Sequence, residues 1–138
     1  MLDMIVIFAA AALTGAPQQA PDCRTGDVYF ESGRANLNVA ARQTVDAVHR
    51  LALQAGWRSA SATITGHVDG DEKAKGLTSL DEERAAAVRG RLEELHAGSP
   101  QTLTFATTGV DDSEPARRTS APQPLNRRVS LSVCAAES

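Results

Sequence analysis

From Asp27 to Val133 the apolar residues switch repeatedly between two spacings, and that alternation restricts the fold more than any other feature of the chain. Leu37, Ala41, Val45, Val48 and Ala52 recur at intervals of four, four, three and four, one stripe of an amphipathic helix. Arg42, Asp46 and Arg50 fall on its opposite side. Asn38 is placed to cap this helix and Gly56 to stop it. Four other runs read as strands. They are Asp27–Glu31, Ala60–His67 with Ala62 and Ile64 on one face, Gln101–Thr107 with Leu103 and Phe105 against threonines, and Arg128–Val133 with Val129, Leu131 and Val133 pointing one way. A second helix starts at Ser79, where Ser79 and Glu82 have capping-box spacing, and closes at Gly98 and Pro100. Asp69–Gly76 reads as a polar loop, and Gly109–Pro124 as a long loop rich in proline, serine and charge. The order β-α-β-α-β-loop-β predicts an α+β domain: one mixed four-stranded sheet with two main helices packed on one face.

The 138 residues suffice for one domain and a short leader, not for two cores. A formal net charge of −3 argues against nucleic acid as a partner, because such binders usually carry a basic face. Aromatic residues make up 4% of the chain, too few for a platform that stacks bases or sugars. The core must come from Val, Leu, Ile and Ala.

The N-terminus has the character of an export signal. Met4–Ala16 is a run of 13 mostly apolar residues followed by the breaker-rich Pro17–Asp22. A bilayer span takes about 20 residues, so the run fits the apolar region of a cleaved leader better than a membrane helix. Residues 1–20 are therefore assigned as a signal peptide, cut after Ala16 or Ala20, and residues 21–138 as the mature domain, with no membrane span of its own. The acidic Met1-Leu2-Asp3 departs from the positive charge such leaders carry, and a buried N-terminal strand or helix is the alternative. Cys23 follows Ala-Pro-Asp, which is no lipobox. Cys23 and Cys134 bracket the strands, and in an oxidising compartment two such cysteines suggest one disulfide. No neighbouring Cys or His supports a zinc site.

One residue breaks the apolar pattern. Leu80, Val88, Leu92 and Leu95 form the stripe of the second helix, and Arg84 stands on the same line. A guanidinium there must reach the surface or meet an anion. Asp69 lies in the preceding loop, so an acid and a guanidinium facing a common cleft would suit a zwitterionic ligand, carboxylate on Arg84 and ammonium on Asp69.

Ile64-Thr-Gly-His-Val-Asp69, followed by Leu80-Asp-Glu-Glu-Arg84-Ala-Ala-Ala-Val88 and Leu92, resembles the OmpA-like (OmpA C-terminal) signature, roughly GHTD, a loop, then LSxxRAxxVxxxL. The interval of fifteen from Asp69 to Arg84 equals that family's interval between its ligand-binding Asp and Arg. Val28-Tyr-Phe-Glu31 with Leu37 resembles its first strand and following helix. Thr108–Pro115 is similar to its GxGxxxP segment, and Asn126-Arg-Arg-Val129 matches its NRRV motif. The resemblance covers about residues 27–134 and implies an OmpA-like β-α-β-α-β-β fold. It also implies non-covalent binding of peptidoglycan, through meso-diaminopimelate of the stem peptide, in a Gram-negative periplasm. By position, Asp69 would hold the ammonium and Arg84 the carboxylate, with backbone of the Val68, Gly70 and Asp71 loop assisting. His67, Asn126, Arg127 and Arg128 would support the site. The chain departs from the pattern at Val68 for Thr, Gly70 for Asn, Leu77 for Asn, Asp81 for Ser and Asp111 for the second glycine, which points to weaker or altered binding. On this reading Arg84→Ala or Asp69→Ala would lower wall binding without unfolding the domain.

Other constellations fail. A calcium loop from Asp69 would need acceptors where Lys73 and Lys75 stand. His49, His67 and His96 lack metal-ligand spacing, and no phosphate loop or nucleophile elbow is present. A catalytic set of His67, Asp69 and Ser79 would be the sharpest enzymatic reading, and the pattern of the chain argues against it. No cofactor and no metal are implied. Two functions remain: a cell-wall binding module, associated with the outer membrane only through envelope-complex or outer-membrane proteins, and a periplasmic protein–protein adaptor that keeps the fold without the ligand. Mass spectrometry of exported material is expected to find the chain starting at Pro17 or Pro21; an intact Met1 would contradict the leader assignment.

Overall fold

The computed structural model describes residues 22–136; the assigned leader lies outside the described residues. The elements are β1 (Cys23–Tyr29), α1 (Val39–Gln54), β2 (Ser59–Gly66), a short α2 (Gly70–Ala74), α3 (Leu80–His96), β3 (Thr102–Gly109), a 3₁₀ turn at Pro124–Asn126 and β4 (Arg128–Ala135). Four strands form one sheet in the order β1-β4-β2-β3. β4 runs antiparallel to both β1 and β2, whereas β2 and β3 are parallel, joined by the crossover that carries α3. The expected mixed sheet is thus present, with α1 over β1 and β4 and α3 over β2 and β3.

Local chemistry accounts for most boundaries. The Asn38 side chain accepts a hydrogen bond from the Ala41 N–H at 2.8 Å and so caps α1. Ala41, Val45, Val48 and Ala52 are buried as the stripe requires. They meet Val28, Ala62, Ile64, Val129, Leu131 and Val133 from alternate positions of the strands, with Val88 and Leu92 of α3 completing the core. The two long helices are clamped by a two-bond ion pair, Arg91 to Asp46 at 2.8 and 2.9 Å, and by His49 and His96, whose ring nitrogens lie 3.1 Å apart.

Three expectations need correction. β1 begins at Cys23, four residues before the expected run, because Cys23 to Asp27 extend its ladder with Ser130 to Cys134. Asp69–Gly76 is not only loop: it contains α2, capped reciprocally by Asp69 and Glu72. Ser79 does precede α3, but its side chain makes no capping bond; its hydroxyl donates to Glu83 at 3.0 Å instead.

Cys23 and Cys134 sit directly opposite each other in the β1–β4 ladder and are joined by a disulfide. The bond closes nearly the whole domain, with a sequence separation of 111. Reduction is expected to lower stability by about 2–5 kcal/mol, read as a drop in the denaturation midpoint. Two thiols reactive in the native, unreduced protein would contradict the pairing.

Candidate functional site

The residues singled out in the sequence gather where β2 leaves the sheet. Gly66 is required here: a Cβ at this position would lie 1.9 Å from the Asp81 carbonyl oxygen, so no other residue lets the first turn of α3 approach so closely. His67 follows, 3% exposed. Its N–H donates to the Arg128 carbonyl at 2.9 Å, and its Nε2 lies 3.2 Å from the Ser130 hydroxyl. Burial, helped by the nearby Arg128 cation, pushes its pKa down to about 4, so the ring is neutral at pH 7. The Val68 N–H is committed to the Asp111 carbonyl at 3.0 Å. Asp111 has φ 52, the left-handed region in which glycine is at ease and Asp is tolerated, which accounts for its place in a glycine position.

Asp69 is fully buried. One carboxylate oxygen accepts the Glu72 N–H at 2.7 Å, and the other accepts the Gln123 N–H at 3.0 Å and Arg127 Nη1 at 3.1 Å. Burial alone would raise its pKa, but these two N–H groups and the Arg127 guanidinium outweigh it and hold the carboxyl below the usual range. Arg127 also donates to the Phe30 carbonyl at 3.1 Å, bracing β1 and Asp69 together.

Arg84 is equally buried, and it does not snorkel. All five of its N–H donors are used. Nε donates to the Arg34 carbonyl, Nη1 to the His67 carbonyl and Nη2 to the Glu31 carbonyl, at 2.9, 3.0 and 3.2 Å. The remaining two form a fork on the Glu72 carboxylate at 2.8 and 2.6 Å. The guanidinium also lies 5.3 Å from the Phe30 ring centroid. Glu72, 1% exposed, receives two further bonds, from the Gly33 N–H at 2.8 Å and the Asp69 N–H at 3.0 Å. Four donors thus converge on one carboxylate.

Asp69 and Arg84 therefore do not share an open cleft. Each is buried with a partner of its own, and Glu72, which bonds to both residues, stands between them. The sequence reading missed Glu72, although Asp69 and Glu72 have the spacing of a capping box. Of the other assigned residues, Gly70 packs under Thr119 and Ser120, where a Cβ would come within 2.8 Å of backbone. Asp71 pairs with Lys75 at 3.0 Å. Asn126 is buried and exchanges two bonds with the backbone of Arg117, and Arg128 donates to the Glu114 carbonyl, so both hold the long loop.

A four-stranded mixed sheet with its long helices on one face, and with a buried Asp and Arg behind the end of β2, defines a two-layer α+β domain. The OmpA family profile matches residues 29–128, and the chain belongs to that family. The fold is similar to the OmpA-like domain of FopA1 from Francisella tularensis (TM-score 0.63, 20% identity, 82% of this chain and 73% of that one). It is also similar to the cell wall anchor of the T6SS from Pseudomonas aeruginosa (0.62, 22%, 99% and 98%) and to the peptidoglycan-associated lipoprotein from Burkholderia pseudomallei (0.58, 20%, 78% and 88%). Comparison with curated proteins gives no match.

The geometry corrects one expectation: Arg84→Ala would strand the buried Glu72 carboxylate, so it should cost about 3–5 kcal/mol of stability, not binding alone. A double change of Arg84 and Glu72 to Met should recover part of that loss, since it removes the stranded charge but leaves the Gly33 and Asp69 N–H groups without their acceptor, as read in urea denaturation. The neutral His67 adds a pH dependence. Its folded pKa is lowered, so the unfolded chain takes up the proton first, and its contribution is complete above pH about 6.5 and fades toward pH about 4. Replacing His67 by Gln should remove up to about 3 kcal/mol of that acid-side slope; an unchanged slope would contradict the assignment.

Proposed function

We propose that this chain is a non-enzymatic module of the bacterial cell envelope that associates with peptidoglycan, acting in the periplasm. Within that role, the diaminopimelate of the stem peptide would be its ligand. The observation that carries this reading is the receptor around Arg84: a forked guanidinium and two backbone N–H groups converge on a single carboxylate. Such a site is chemically suited to the free carboxylate of a diamino acid, and the acid that would face its ammonium, Asp69, lies one hydrogen bond away through Glu72. Membership of the OmpA family, and likeness in fold to a cell wall anchor and a peptidoglycan-associated lipoprotein, support the same role. No helix among the described residues is long and apolar enough to cross a membrane.

One observation favours a second reading, an adaptor that keeps the fold without the ligand. Arg84 has no spare donor, and Asp69 already holds Arg127. Sedimentation with purified sacculi separates the two. The wall reading expects co-sedimentation that free meso-diaminopimelate competes away and cadaverine, a diamine of similar length with no carboxylate, does not. Protein that stays in the supernatant favours the adaptor.

A further inference from the structure

The residue that fills the receptor belongs to the chain itself. We propose that Glu72 is a built-in occupant of a carboxylate site and that an external carboxylate binds there only by displacing it. On the wall reading above, on which this inference rests for the identity of the ligand, that carboxylate is the one on diaminopimelate, and Glu72 sets the affinity.

Two features distinguish this arrangement from an ordinary buried ion pair. First, most of the receptor is assembled without Glu72's own helix, to which only the N-cap residue Asp69 belongs. Arg84 comes from α3 and is held in place by the carbonyls of Glu31, Arg34 and His67, and the two N–H donors come from Gly33 and Asp69. Taking the Glu72 carboxylate away leaves the fork aimed at the same point. Second, the element that carries Glu72 is held otherwise by polar contacts and backbone packing, with Gly70 under Thr119 and Ser120 and Lys73 paired to Asp112 at 3.1 Å. α2 has five residues, of which Glu72 is the only one buried, and residues 73–79 after it are all exposed. Gly76, at φ 79, ends the segment in a conformation suited to glycine. Withdrawing the plug therefore exposes almost no apolar surface. The opposite rim, Glu31 to Arg34, is exposed as well, so the emptied site would open to solvent between two polar edges.

The test is Glu72→Ala, examined with sodium propionate, the free-acid equivalent of a glutamate side chain, and with meso-diaminopimelate. Propionate should raise the melting temperature of the variant by several degrees over equal sodium chloride and leave the wild type unmoved. The variant should also bind meso-diaminopimelate at least about tenfold more tightly than the wild type does. If Glu72→Ala does not fold unaided, refolding in propionate should restore the native circular dichroism. The double change of Glu72 and Arg84 to Met should fold without responding to either probe. A variant that ignores both probes, or that refolds no better with propionate, overturns the inference even where wild type and variant still sediment with sacculi, and the wall reading then stands alone. Rescue by propionate with no binding of sacculi by either protein supports Glu72 as the occupant and overturns the wall reading.

Discussion

A guanidinium buried in the core-facing line of a helix is tolerable only with a full set of partners, and in this chain the rest of the site is arranged around meeting that demand. Desolvating an unpaired Arg84 would cost several kcal/mol, comparable to a large share of the stability of a domain this size. The solution draws four acceptor residues from three surrounding segments. Glu31 and Arg34 lie in the turn after β1, His67 at the end of β2, and Glu72 on α2. Arg84 is thus a structural hub that ties three segments to α3, and the same demand for an anion underlies the binding role proposed for it.

The second buried pair works in the other direction. Asp69 takes one bond from its own short helix, one from Gln123 in the long loop and one from Arg127 at the start of β4. That bond set fastens the 110–123 loop over Gly70, where Thr119 and Ser120 close on the backbone. The two charges that a zwitterionic ligand would need are consequently both present, both preorganised, and both already neutralised from within. Binding at such a site is an exchange of partners, so affinity depends on how readily the internal partners leave as much as on what the ligand offers.

Much of the fold was legible because its elements obey strict periods. The α1 stripe, its Asn38 cap and the alternation in β2 and β4 follow from side-chain spacing alone, since each decides which face meets the core. Arg84 was legible as an anomaly for the same reason: it violates the period. Its partner was not. Glu72 sits in a stretch whose charge and glycine content read as solvated loop, and only the interval of three from Asp69 marks it as part of a capped turn. The Asp69–Arg127 pair was beyond reach, because a contact across 58 residues has no local signature. Ser79 shows the opposite error, a correct cap position whose hydroxyl is taken by Glu83 one turn on.

The most direct test of the central claim watches the two residues of the buried fork in the intact wild-type chain. Nuclear magnetic resonance would follow the Glu72 carboxyl carbon and the Arg84 guanidinium protons as meso-diaminopimelate is added. Exchange of one carboxylate for another predicts that the Glu72 carbon moves to the value of a solvated glutamate while the Arg84 protons stay protected. Saturation by the ligand with both sets of signals unmoved would place binding elsewhere and contradict the account.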